Sequence, residues 1–327
     1  MTNQAPEIRA TTVGSYSPID WLAALPSEQA VLDATAVVVA TQRRAGIGVI
    51  DIKVNHIESP DEVARRIEKP AAMNLGEIER LRAAQGDRVV ACCSARFSHY
   101  PSSNAARKFL RSGKLGAIRA IACRAVVPPR KPAPPNPPPW RLSRKLNGGG
   151  ILVNWGSYDL DFLFSLLDFK LQPVHALART WQVPPPSAAY AAPGSDAETH
   201  VNALVTFQDG SVFDYERAEF GAIPGEQRWQ ICGENGALSL RLLPGRDDRL
   251  VWWKPDPAQG VREETLWEGD QSSIGHTALV DANFVAAIRG EAEPFTCLRK
   301  SALVQRVTDA IYASADAGRP TTIEPAR

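Results

Sequence analysis

The amino-acid sequence predicts an α/β chain of the α+β type: a shortened βα layer at the N-terminal end, then an α+β domain with a large, mostly antiparallel sheet. Three observations predict it. Strand-like runs follow one another from about residue 174 to 268. Asp209-Gly210 and Asn235-Gly236 fall between neighbouring runs as hairpin turns, and hairpins join antiparallel neighbours. Two helical patterns, at 276–289 and 301–317, close the chain, with Leu303, Val307, Ile311 and Ala315 on one face of the second. Helices of that kind cover one side of the sheet.

Composition narrows the class. The 327 residues are 44% hydrophobic, enough for a sizeable core. The 37 basic and 36 acidic residues form no long run of either sign, which argues against a nucleic-acid or polybasic membrane surface. Cys92, Cys93, Cys123, Cys232 and Cys297 are odd in number, scattered and without a CxxC pair, so they read as reduced core thiols. His99, His175, His200 and His276 have no metal-ligand spacing, and no metal is assigned. The N-terminus lacks a basic and apolar leader, and no apolar run reaches ~18 residues, so the expectation is a cytoplasmic protein.

Taken in order, residues 8–14 read as a strand entering a turn. A helix over 27–45 follows, with Ser27 as N-cap and Gly46 as its stop, then a strand over 48–54. Ser59-Pro60-Asp61-Glu62 opens the next helix. Asn74-Leu75-Gly76-Glu77 is a capping box before the stripe Leu75, Ile78 and Leu81. A buried strand is predicted over 88–97, a helix over 103–112 ended by Gly113, and a strand over 116–127. Eight prolines between 128 and 140 make an extended linker. The run from Gly148-Gly149-Gly150 to Asp161 begins a helix, and spacing of i, i+4 and i+7 places Asn154, Tyr158 and Asp161 on one face. The glycines allow close backbone approach to another surface or a ligand. Trp252-Trp253 read as exposed aromatics, which predicts a homo-oligomer joined through the open face of the sheet.

Two resemblances add to this reading. The runs from Arg9 to Tyr16 and from Ile50 to Ala64 resemble fragments of cobalamin-independent methionine synthases, without the zinc ligands, and His56 reads as a loop histidine. From Glu68-Lys69-Pro70 to Glu324 the chain resembles the Gfo/Idh/MocA oxidoreductases. That resemblance implies NAD or NADP, a sugar or polyol substrate, and an N-terminal Rossmann layer, here truncated or degenerate because no GxGxxG follows a first strand. The division expected is 1–68 as an incomplete methionine-synthase-like segment, 69–127 as a remnant of the nucleotide-binding domain, and 128–327 as the substrate and oligomerisation domain.

The same resemblance implies the site. Lys69 hydrogen-bonds the reacting oxygen, and Glu68, Pro70, Trp140 and Arg141 lie toward the cofactor. Asn154 and Tyr158 occupy the positions where the family usually has Asp and a catalytic His. Tyrosine can donate a proton when a nearby cation lowers its pKa from ~10. Arg96, Tyr100, Asn154 and Trp155 are the candidate substrate contacts, and Asp161 reads as structural. Two functions stand: a nicotinamide-dependent oxidoreductase, or a non-catalytic fusion or remnant that binds sugar or dimerises.

Overall fold

The computed structural model describes residues 66–67, 70–87, 89–130, 132–275 and 278–325. Glu68, Lys69 and the elements expected before residue 66 lie outside the described residues.

Two short strands, β1 (Arg66–Ile67) and β2 (Ala91–Cys92), pair in parallel, with helix α1 (Leu75–Gln85) between them in sequence. Asn74 caps α1 as predicted, its Oδ1 accepting from the Glu77 amide at 3.0 Å. The Glu77 carboxylate reaches back one residue further than a standard capping box, accepting from the Met73 amide at 2.9 Å.

The strand expected over 88–97 is only two residues long. Cys93–Phe97 curls into a 3₁₀ helix. Behind it the buried Asp161 carboxylate accepts from the hydroxyls of Ser94 and Ser98 at 2.8 Å and of Thr296 at 2.5 Å. A fully buried carboxylate must be satisfied, and the curl places two of these three donors on it. Helix α2 (Pro101–Arg111) follows, starting with proline at its first turn.

The large sheet has nine strands: β3 (Ile118–Val127), β4 (Pro173–Trp181), β5 (His200–Phe207), β6 (Val212–Glu219), β7 (Glu226–Gly233), β8 (Gly236–Leu240), β9 (Asp248–Asp256), β10 (Gly260–Gly269) and β11 (Thr321–Thr322). Their order is β10-β9-β8-β7-β3-β6-β5-β4-β11. Every pair is antiparallel except β3 with β6. Both turn dipeptides fall where expected, between β5 and β6 and between β7 and β8. Gly236 has φ 122°, and a Cβ there would lie 2.0 Å from the Trp253 carbonyl oxygen.

Strand β3, which precedes the expected division at 127/128, lies in the middle of the large sheet between β6 and β7.

On the helix side of the sheet, β3 and β6 place Ile121, Cys123 and Ala125 against Phe213, Tyr215 and Arg217. Helix α3 (Arg144–Asn147) is a single turn, and helix α4 (Ser157–Leu166) is buried along its whole length. Helices α5 (Ala278–Ile288) and α6 (Leu298–Ala317) complete the helical layer, and α6 packs on β4, α1 and α4. The opposite face of the sheet exposes Leu177, Trp181, Leu204 and Trp253, with Arg124 bridging Glu216 and Glu226 between them. Trp252 departs from expectation. Successive strand residues face opposite sides, so it turns inward onto Phe109, with ring centroids 4.8 Å apart, while Trp253 faces out.

Candidate functional site

The site grows from the triple glycine. A Cβ on Gly150 would lie 1.7 Å from the Glu198 carbonyl oxygen, and one on Gly149 would lie 1.9 Å from the Tyr312 hydroxyl. Glycine permits so close an approach; what meets Gly150 is the chain entering β5, and what meets Gly149 is the Tyr312 side chain of α6. The Glu198 carboxylate accepts from the amides of Gly150 and Leu152, both at 3.0 Å, and from the Tyr312 hydroxyl at 2.8 Å. Burial pushes the Glu198 carboxyl up from its ordinary range, and these donors oppose that shift.

Past the glycines the backbone makes a π-helical turn, Leu152–Gly156, before α4. Such turns are frequent at functional sites. This one opens onto a cleft of about 730 Å³ and helps to present Asn154, Trp155 and Tyr158 to it. Asp161 does not share that face. The wider turn breaks the simple i, i+4, i+7 relation, and Asp161 serves the hydroxyls under the 3₁₀ helix instead.

Aromatic rings form one wall of the cleft. Phe97 stacks on Trp155 with centroids 6.1 Å apart, and Tyr158 meets Phe97 edge-on at 5.1 Å. The guanidinium of Arg96 lies 5.3 Å from the Tyr158 ring centre, and that of Arg217 lies 4.9 Å from Trp155. Both geometries are those of cation–π contacts. Arg217 is held from behind by Asp159, through Nε to Oδ2 at 2.5 Å and Nη2 to Oδ1 at 2.6 Å, and the Tyr215 hydroxyl adds a bond to Oδ2 at 2.9 Å. Burial works against the charge on Arg217, but the Asp159 carboxylate outweighs it, and the guanidinium is held above its ordinary value. The lining also includes Tyr190, Phe220, Pro128, Pro132 and Pro134, together with Arg130 and the ion pair Arg141–Glu219. Burial raises the Glu219 carboxyl, and Arg141 opposes the rise.

Of the candidate residues, the structure brings Arg96, Arg141, Asn154, Trp155 and Tyr158 to one cleft. Tyr100 is not there: it heads α2 with its ring buried, and its hydroxyl donates to the Ile274 carbonyl at 3.3 Å. Trp140 is half exposed and outside the lining, and Pro70 lines a separate small cavity beside Cys92 and Ser301. Arg130, Tyr190, Arg217, Glu219 and Phe220 were not anticipated. A sequence signal existed for Arg217: on β6 it continues the inward alternation of Phe213 and Tyr215, and a charge at such a position needs a buried partner.

Fold and cleft together define an α+β domain whose sheet and π turn enclose an aromatic, arginine-lined pocket. Residues 103–239 match the model of the GFO/IDH/MocA C-terminal domain. No curated protein sequence matches the chain. Among solved structures, levoglucosan dehydrogenase in complex with NADH is similar over 86% of this chain and 81% of its own, at 19% identity and a TM-score of 0.69. An NAD-binding oxidoreductase from Klebsiella pneumoniae is similar over 86% and 81%, at 18% identity and a TM-score of 0.69. Aldose-aldose oxidoreductase from Caulobacter crescentus, complexed with glycerol, is similar over 85% and 79%, at 20% identity and a TM-score of 0.67. At these identities the likeness is one of fold. The methionine-synthase resemblance over residues 8–68 gains no support from these matches.

Proposed function

We propose that the chain is a Gfo/Idh/MocA-type oxidoreductase that moves a hydride between a hydroxyl-bearing carbon of a sugar or polyol and NAD or NADP. The observation that carries this reading is the convergence of Arg96, Asn154, Trp155 and Tyr158 on one cleft. The fold around it is similar to that of a dehydrogenase bound to NADH. Ligand pockets run to roughly 300–1,000 Å³, so a cleft of this size accommodates a sugar ring beside a nicotinamide ring. The aromatic wall suits the flat faces of both.

The described residues fit the reacting end of such a cofactor. Of the residues expected on the cofactor side, Arg141 lies in the lining of this cleft, whereas Trp140 is outside it and Pro70 lines a separate cavity. Glu68 belongs to the same expectation but lies outside the described residues. When bound, the nicotinamide accepts or delivers the hydride. The chain's own task is to orient the hydroxyl and move its proton. In this reading Tyr158, with Lys69, hydrogen-bonds the reacting oxygen. The Arg96 guanidinium offsets negative charge as the proton leaves the phenol. Asn154 contributes an amide donor and acceptor that select the orientation of the sugar. Trp155 supplies the platform beneath the ring. The open face of the sheet, with Leu177, Trp181, Leu204 and Trp253, would join copies of the chain into a cytoplasmic homo-oligomer.

Titration with NADH and NADPH, followed through tryptophan fluorescence, tests the reading, because Trp155 lies in the cleft wall. Saturable quenching is expected for at least one of the two, with turnover of a sugar or polyol abolished in Lys69→Ala. A flat titration to millimolar concentration with both nucleotides, in a folded protein, would refute it.

A further inference from the structure

The polar groups of the cleft are unbalanced for a neutral polyol. Four guanidinium groups line it, from Arg96, Arg130, Arg141 and Arg217, against the single lining carboxylate of Glu219. A guanidinium donates and never accepts, whereas sugar hydroxyls do both and are bound well by mixed donors and acceptors. Arg217 is paired with Asp159 and Arg141 with Glu219, and the Arg96 guanidinium lies over the Tyr158 ring. Arg141 meets Glu219 through Nη2 alone, which leaves the rest of its fork for a ligand. Arg130 lies close enough to the Glu219 carboxylate to help oppose the rise that burial causes there, but forms no direct ion pair among the described residues. The side chains that line the cleft with it, Pro128, Pro132, Pro134, Tyr190 and Phe220, compete little for its hydrogen bonds.

Resting on the sugar oxidoreductase reading of this same cleft, we propose that the substrate is a sugar acid whose carboxylate is received by Arg130 and the free edge of Arg141. The planar fork of arginine matches the two oxygens of a carboxylate, so the Arg130 guanidinium suits a single carboxylate group. Arg130 sits in the proline-rich segment and lines the same cleft as Tyr158.

The test is calorimetric titration of the full chain, with and without saturating NADH. The ligands are matched in stereochemistry: glucuronate with glucose, galacturonate with galactose, gluconate with glucitol, and glucose 6-phosphate as the dianionic comparison. The acid of at least one pair is expected to bind roughly tenfold or more tighter than its neutral partner, as a charge-assisted bond does. In Arg130→Gln that ratio falls toward one, and in Arg130→Lys it is partly restored. Arg130 is solvent-exposed, so these variants fold. Neutral partners binding as well as the acids, no binding by any ligand, a ratio unmoved by Arg130→Gln, or tightest binding by glucose 6-phosphate would each overturn the proposal. NADH binding combined with preference for the neutral sugar refutes this proposal alone. Preference for the acid without any nicotinamide binding refutes the oxidoreductase reading and leaves the carboxylate site standing.

Discussion

Replacing Arg217 by methionine would isolate the ion pair beneath the cleft. Asp159 is fully buried and Arg217 is 4% exposed, so neither charge has water to fall back on. In Arg217→Met the Asp159 carboxylate keeps the Tyr215 hydroxyl at 2.9 Å but loses both guanidinium bonds and the opposing charge. Removing one partner of a buried pair costs about 3–5 kcal/mol. With a urea dependence of roughly 2–3 kcal/mol per molar, that lowers the unfolding midpoint by on the order of 1–2 M. The double variant Asp159→Leu with Arg217→Met removes both charges at similar volume and is expected to recover most of the loss, because an intact buried pair is worth little against apolar packing. The assay is urea unfolding of the wild type, both single variants and the double variant, monitored by tryptophan fluorescence. A double variant as unstable as Arg217→Met, or a single variant within about 1 kcal/mol of wild type, would refute the claim that an orphaned charge dominates.

Gly150→Ala is expected to cost more than the ~1–3 kcal/mol usual for overpacking, because its Cβ would meet backbone 1.7 Å away; a thermal midpoint unchanged from wild type would contradict this. His99 is held down to about 3, by burial first and then by Arg107 and Lys300. The unfolded chain therefore takes up a proton below its ordinary 6.5 that the folded chain refuses, so this contribution to stability is present above pH 6.5 and lost as pH falls toward 3. His99→Phe keeps the stack on Phe295 and removes the titration, so wild type should lose stability relative to the variant between pH 6.5 and 4; parallel midpoint curves would contradict this. Tyr158→Phe is expected to lower kcat by about 10²–10⁴ while leaving the NADH titration in place, and undiminished turnover would remove Tyr158 from the proton transfer.

Much of the large sheet was legible because its signals are local. The strand-like runs expected from about residue 174 to 268 correspond to β4 through β10, which run from Pro173 to Gly269, and the two-residue β11 was not anticipated. Alternation, turn dipeptides and the Asn74 cap depend on neighbours within a few positions, so they survive without knowledge of the rest of the fold. The segment 88–97 was misread for the complementary reason. Its apolar composition favours a strand, but the curl answers to Asp161, more than 60 residues away, and no local pattern reports that demand.

The candidate site divides in the same way. Asn154 and Tyr158 could be singled out because polar groups interrupt an apolar helix, whereas Arg96, Arg141 and Trp155 became candidates through the family resemblance. Tyr100 looked equivalent to Arg96 and is buried instead, since a side chain's neighbours across space decide whether it meets solvent.

By itself, the sequence determined that there is a mostly antiparallel sheet, where most of its strands lie, and that a glycine-rich turn precedes a polar interruption. Only the tertiary structure decided that β3 joins the centre of that sheet, that Gly150 meets the backbone of Glu198, and that Asp159 finds Arg217 58 residues away. The physical reason is that backbone conformation answers first to nearby residues, whereas burial and charge pairing are settled by whichever distant surface arrives against them.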